Sequence, residues 1–196
     1  MSTFTRLCVF AGSSSGVRPS YRHAAAGLGQ EMARRGIDLV YGGARVGLMG
    51  ELANTLLAAG REVIGVIPEA LVAKEVAHHG LTDLRVVASM HERKAMMASL
   101  ADGFIALPGG WGTLEELFEV LTWGQLGLHG KPCGLLNVDG YFDPLLTFLQ
   151  RSVSEGFVRP ECGSMMAIAK APAELLDRLS SVRPPSVTKW IDESTS

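Results

Sequence analysis

The chain is predicted to fold as an α/β protein: a doubly wound parallel sheet, three layers deep (α/β/α). Three observations carry that prediction. Short apolar runs of strand length alternate with helix-length stretches along most of the chain. Most of the runs stop at a glycine or proline, as strands do when they empty into loops. The segments between successive early strands suit crossover helices, which parallel neighbours require, and are too long for hairpins.

In order, residues 7–11 read as a buried first strand that empties into Gly12-Ser13-Ser14-Ser15-Gly16. An alanine-rich helix over 21–35 follows and is closed by Gly36. A second strand over 37–41 leads through Gly42-Gly43-Ala44-Arg45-Val46-Gly47 into a helix over 48–59, closed by Gly60. A third strand covers 62–67 and ends at Pro68. The less regular segment after it holds Glu69, Glu75 and the pair His78-His79. Adjacent histidines rarely face one ion together, and no third ligand stands at useful spacing, so a surface or interface role is expected and no metal.

A fourth strand over 84–87 precedes Ser89-Met90-His91-Glu92, which reads as a capping box opening the next helix. Arg93 and Lys94 then sit near the start of that helix, where the macrodipole favours acids. Arg93 also shares a helical face with Met96, Met97 and Leu100, so a cation lies on the inward side. A local rule broken on the core-facing side marks a candidate site, against the alternative of a surface ion pair or a snorkelling side chain. A fifth strand over 104–107 leads to a helix running to Gln125. A sixth strand (133–137), a helix (141–154), a short strand (165–169) and a short helix (172–179) complete the pattern.

Composition bounds the function. With 196 residues, 47% hydrophobic and 19% charged, the chain suits a single domain, expected over 1–182, with a loose Pro/Ser-rich tail over 183–196 in which Trp190 is free to dock. A formal net charge of −2 gives no electrostatic case for nucleic acid or a membrane surface as partner. Cys8, Cys133 and Cys162 share no Cys-x-x-Cys spacing, and a sparse odd set fits a reducing cytoplasm. The polar residues 1–6 carry no signal-peptide pattern, and no apolar run reaches membrane-spanning length.

The richest stretch is Leu107-Pro108-Gly109-Gly110-Trp111-Gly112-Thr113-Leu114-Glu115-Glu116. A strand, a glycine turn and a helix start make an anion site, because glycines allow close backbone approach and the first helix N–H groups point outward. Thr113 and Glu116 stand at its mouth, though Thr-x-x-Glu also reads as a plain capping box. The earlier loop at Gly12 and Ser13 is neither a dinucleotide fingerprint nor a P-loop; small hydroxyls at a strand end suit a sugar or phosphate, or simply a turn.

Three motifs stand in one order: Gly42-Gly43 with Val46-Gly47-Leu48-Met49-Gly50; Met90-His91-x-Arg93-Lys94; and Pro108-Gly109-Gly110-x-Gly112-Thr113-x-x-Glu116. Together they resemble the LOG (Lonely Guy) family of cytokinin-activating phosphoribohydrolases, often labelled lysine decarboxylases. The resemblance covers roughly 7–170, with Trp111 in a variable slot. It implies a Rossmann-like fold, a homodimer with active sites near the interface, and no cofactor. It further implies hydrolysis of N6-substituted adenosine 5'-monophosphate, or of AMP itself, to free base and ribose 5-phosphate. The family's catalytic pair falls on Arg93 and Glu116. Nucleotide contacts fall on Glu75, Lys94, the turn Gly109, Gly110, Trp111, Gly112 and Thr113, and Thr122, with Met90 in the second motif and Gly12 and Ser13 on the first loop as further candidates.

That chemistry suits the residue types. Cleaving an N-glycosidic bond builds oxocarbenium character on the ribose, which a carboxylate such as Glu116 stabilises, or meets by activating water. Arginine is too weak an acid to give up a proton readily, so Arg93 is cast as an electrostatic stabiliser of the departing purine. A non-catalytic nucleotide or cofactor carrier and a pyridoxal-phosphate decarboxylase are the competing readings.

Overall fold

The computed structural model describes residues 4–72, 77–163 and 165–182. Its elements are β1 (Arg6–Phe10), α1 (Pro19–Arg34), β2 (Asp38–Tyr41), α2 (Gly47–Ala58), β3 (Val63–Pro68), α3 (Glu69–Val72), β4 (Asp83–Val87), α4 (Met90–Leu100), β5 (Gly103–Ala106), α5 (Trp111–Gln125), β6 (Cys133–Leu136), α6 (Asp143–Ser154), α7 (Pro160–Gly163), β7 (Met166–Ala169) and α8 (Pro172–Ser181). All neighbouring strands pair in parallel, in the order β4-β3-β2-β1-β5-β6-β7. The doubly wound sheet expected from the sequence is present.

Central strands are covered on both faces, which is why they read as unbroken apolar runs rather than alternating ones. In β1, Leu7 and Val9 face a core layer shared with Leu28 and Met32 of α1 and Leu52 and Leu56 of α2. Cys8 and Phe10 face the other layer, with Met97 of α4 and Val120 of α5. Each fully buried leucine contributes on the order of 2 kcal/mol of hydrophobic stabilisation, so these two layers fix the helices on the sheet.

The helix expected from residue 141 begins at Asp143 instead. A turn over Val138–Gly140 intervenes, with Asp139 in the left-handed region at φ 51°. Asn137 stabilises the delayed start: its Oδ1 accepts from Phe142 N at 2.9 Å and its Nδ2 donates to Asp143 Oδ1 at 2.6 Å. The short helices α3 and α7 are additions to the expected list, each too brief for a periodic pattern to show.

This strand order places the site. β1 lies between β2 and β5, so the chain winds outward in one direction through β4, then restarts on the other side. Ligands of open α/β sheets bind beyond the strand C-termini at such a switch point. Here the loops after β1 and β5 meet there, with Gly12 N donating to Pro108 O at 3.1 Å.

Candidate active site

The glycine turn is built by contacts that exclude side chains. A Cβ on Gly109 would strike the Thr113 side chain and stand 2.9 Å from Gly12 N. One on Gly12 would lie 2.9 Å from Ser14 O and 3.3 Å from the Gly109 Cα. The two loops therefore touch backbone to backbone. Gly110 and Gly112 are different: each is exposed, with nothing within 4 Å of an added Cβ. The α5 N-cap is Gly110, and no side-chain hydrogen bond caps it. A helix leaves its first N–H groups without intrahelical partners, so this uncapped end suits an anion. Tyr141 braces the turn from β6's side: its hydroxyl donates to Gly109 O at 2.7 Å, and its ring packs edge-on against Tyr21.

The capping-box reading of Thr113 and Glu116 is overturned. α5 starts at Trp111, so Thr113 is already its third residue and cannot be the N-cap. Ser89 and Glu92 do form the expected cap on α4: Ser89 Oγ accepts from Glu92 N at 3.1 Å, while Glu92 Oε2 accepts from Ala88 N at 3.0 Å.

Glu116 turns to Arg93 instead. Arg93 Nη1 donates to Glu116 Oε1 at 2.8 Å, and Arg93 Nε donates to Val66 O of β3 at 3.0 Å. Both residues are buried, at 8% and 9% exposure. Arg93 sits where its helical spacing predicts, with Met97 buried and Met96 and Leu100 partly buried on the same layer. Burial raises the Glu116 carboxyl above its ordinary value, with the Arg93 guanidinium pulling the other way. The buried Cys8 thiol beneath the pair is pushed up by burial and by the Glu116 charge, so it stays protonated. A desolvated carboxylate and a fixed cation, side by side at the switch point, form a group poised for electrostatic work.

The other candidates distribute around this pair. Trp111 stands at the turn, 90% exposed, and Met90 at the start of α4 is 46% exposed. Ser13 is exposed on the β1 loop. Lys94, next to Arg93, points elsewhere: its Nζ donates to Glu115 Oε1 at 2.6 Å and Glu119 Oε1 at 2.9 Å. Thr122 is exposed about three turns along α5, its hydroxyl donating to Phe118 O. It lines an apolar groove with Leu121, Leu146 and Leu149, away from the Arg93–Glu116 pair. Glu75 lies outside the described residues, as does the tail with Trp190. Sequence reasoning missed two contributors, Val66 and Tyr141; a backbone carbonyl and a distant tyrosine leave no signal.

Both ring nitrogens of His78 are engaged, Nε2 with Asn54 Oδ1 at 2.9 Å and Nδ1 with Gly80 N at 3.2 Å. Among the described residues no group of three or more His, Cys, Asp and Glu is placed to hold a metal, and no helix is long and apolar enough to cross a membrane.

A family model described as "Possible lysine decarboxylase" matches residues 49–179. A probable cytokinin riboside 5'-monophosphate phosphoribohydrolase of Oryza sativa subsp. japonica is 50% identical over 200 residues, covering 100% of this chain and 82% of the relative. A cytokinin riboside 5'-monophosphate phosphoribohydrolase of Arabidopsis thaliana is 53% identical over 183 residues, covering 93% and 84%. In fold, the chain resembles the molybdenum cofactor carrier protein of Chlamydomonas reinhardtii, with a TM-score of 0.68 at 20% identity over 90% of this chain and 96% of that one. Half of the residues are thus shared with phosphoribohydrolases along nearly the whole chain, with the glycine turn and the Arg93–Glu116 pair inside the matched region, and the protein belongs to the LOG family.

Proposed function

We propose that this protein hydrolyses the N-glycosidic bond of cytokinin riboside 5'-monophosphates, releasing the free base and ribose 5-phosphate, with AMP as a further substrate. The observation that carries the reading is the buried Arg93–Glu116 pair at 2.8 Å, directly beside the uncapped start of α5. The glycine turn and helix end anchor the 5'-phosphate, supplying binding energy remote from the reacting bond. Glu116 faces the ribose, stabilising positive charge as the C1'–N9 bond breaks or drawing a proton from the attacking water. Arg93 donates hydrogen bonds to the purine as it gathers negative charge. Water supplies the hydroxyl to C1', and its proton leaves with the base.

Lys94 is assigned to holding α4 against α5 rather than to catalysis, because two carboxylates already occupy its ammonium. The same feature bears on the decarboxylase label. A pyridoxal-phosphate enzyme needs a lysine amine that deprotonates readily for a Schiff base. The hydrogen bond to Glu115 raises Lys94 instead. Lys131 is lowered by burial, but it precedes β6 at the opposite end of the sheet, its Nζ donating to Ala98 O, and Lys170 is exposed after β7. The described lysines do not fit that cofactor.

The proposal includes a cytoplasmic homodimer. Its support is α6, whose Leu145, Leu146, Phe148, Leu149 and Val153 leave it with no fully buried side chain, Phe148 being 64% exposed. Sedimentation at equilibrium gives twice the chain mass if this holds, and the chain mass if it fails.

The test of function is chromatography of base and ribose 5-phosphate after incubation with AMP, with N6-isopentenyladenosine 5'-monophosphate, and with the two corresponding nucleosides. Base released from the nucleotides alone supports both the glycosidic chemistry and the phosphate anchor. Saturable nucleotide binding with no release would replace the hydrolase with a carrier.

A further inference from the structure

We propose that Gly42, at the end of β2, is a positioning residue for the reaction: its missing side chain is the seat in which the Arg93 guanidinium lies, aimed at Glu116. The inference rests on the assignment of Arg93 and Glu116 as the reacting pair and adds the element that fixes their geometry.

The guanidinium is held on three sides. Nη1 meets Glu116 from α5, and Nε meets the Val66 carbonyl from β3. The remaining nitrogen, Nη2, lies over Gly42 so closely that an added Cβ would overlap it and stand 3.3 Å from Cζ. The next neighbour of that Cβ, Met49 Sδ at 3.5 Å, is in ordinary contact. The two glycines of the doublet thus serve different ends. Gly43 has φ 75°, a conformation that itself demands glycine. Gly42 is not among the positive-φ glycines, so its backbone accepts alanine and the severe obstacle there is the arginine. Since that obstacle is the end of a flexible side chain, a methyl group at position 42 displaces the guanidinium rather than the strand. A shifted guanidinium cannot keep both the Val66 and Glu116 bonds, and displacements of about 1 Å at a reacting group can cost on the order of 100-fold in rate.

The experiment is a double-mutant cycle of Gly42→Ala and Arg93→Lys, read by turnover of AMP and N6-isopentenyladenosine 5'-monophosphate, by pH profile and by thermal unfolding. Gly42→Ala is expected to lower kcat about 100-fold with KM changed less than about threefold. The acid limb of its kcat/KM profile moves to higher pH, because Glu116 loses the lowering influence of Arg93 while its burial remains. Lys94 on α4, Glu115 on α5 and Cys8 on β1 also act on Glu116 and are unchanged by the substitution. Arg93→Lys removes Nη2, so adding Gly42→Ala to it is expected to change turnover and Tm by far less than in the wild-type background. Equal effects in both backgrounds would overturn the seat, as would Gly42→Ala turning over within about threefold of wild type. If Gly42→Ala alone fails to fold, a folded double variant supports the seat and an unfolded one overturns it. Should wild type cleave neither nucleotide, the hydrolase reading falls, while the Tm cycle still decides whether Gly42 seats Arg93.

Discussion

Two cations, one residue apart on α4, tie that helix to α5 through three ion pairs. Arg93 turns inward to Glu116 and Lys94 turns outward to Glu115 and Glu119, all at 2.6–2.9 Å. By distance alone they are equivalent. Burial separates them by degree: the side chains of Arg93 and Glu116 are 9% and 11% exposed, whereas Lys94 is 16%, Glu119 20% and Glu115 54% exposed. Water screens the contact to Glu115 most and the partly buried contact to Glu119 less, and together they pin α5 to α4. The inner pair has lost its hydration, and its carboxyl is raised by that loss. A raised carboxylate is a stronger base and feels nearby charge more strongly, which is what a group facing a developing oxocarbenium needs. In the proposed function, burial at the switch point, not residue type, divides the structural contacts from the reacting pair.

The largest way to break the comparison is Arg93→Ala. It leaves Glu116 buried without its cation, and turnover is expected to fall by 100-fold or more. Losing one partner of a buried pair costs about 3 kcal/mol or more when the other stays charged. Glu116 escapes part of that cost by protonating. Its folded pKa then stands further above the unfolded value, so the stability it contributes is present below the unfolded pKa and lost as pH rises through the folded one. Urea unfolding of this variant at several pH values should therefore show a deficit that grows from the ordinary glutamate range toward neutral pH. A deficit independent of pH would contradict the assignment.

In the wild type, the acid limb of kcat/KM is expected above the ordinary glutamate range, since burial raises Glu116. A limb at or below that range would place the essential ionisation elsewhere. Tyr141→Phe removes the hydroxyl that donates to Gly109 O, an exposed bond of about 1 kcal/mol, and should raise KM for the nucleotide several-fold with kcat nearly kept. The smallest effect is expected from Lys94→Met. Roughly 1 kcal/mol of stability should go, seen as a Tm lower by ~3 °C, and the difference should shrink in high salt. Activity loss far beyond that destabilisation would return Lys94 to the substrate.

Much of this was legible in the sequence. The strands of the central sheet show as apolar runs because both of their faces are buried, and Arg93 stood out because it breaks the apolar face of its own helix. What the sequence did not reveal is of another kind. Thr-x-x-Glu at 113–116 cannot be told from a cap without knowing that α5 begins at Trp111. That Lys94 is taken up by Glu115 and Glu119 depends on how α4 packs against α5, which no local pattern records. Tyr141 reaches Gly109 across 32 residues, and Val66 acts through its carbonyl, which every residue has. The delayed start of α6 depends on Asn137 and a left-handed Asp139, local choices that helical periodicity does not register.

The most direct measurement makes the same substitution in both pairs: Glu116→Gln and Glu119→Gln, with release of base from N6-isopentenyladenosine 5'-monophosphate followed alongside nucleotide binding. Glu116→Gln is expected to bind nucleotide within a few-fold of wild type while losing turnover by about 1000-fold, and Glu119→Gln to keep turnover within about threefold. Near-normal rates from Glu116→Gln, or equal losses from the two, would contradict the division between a reacting pair and a structural one.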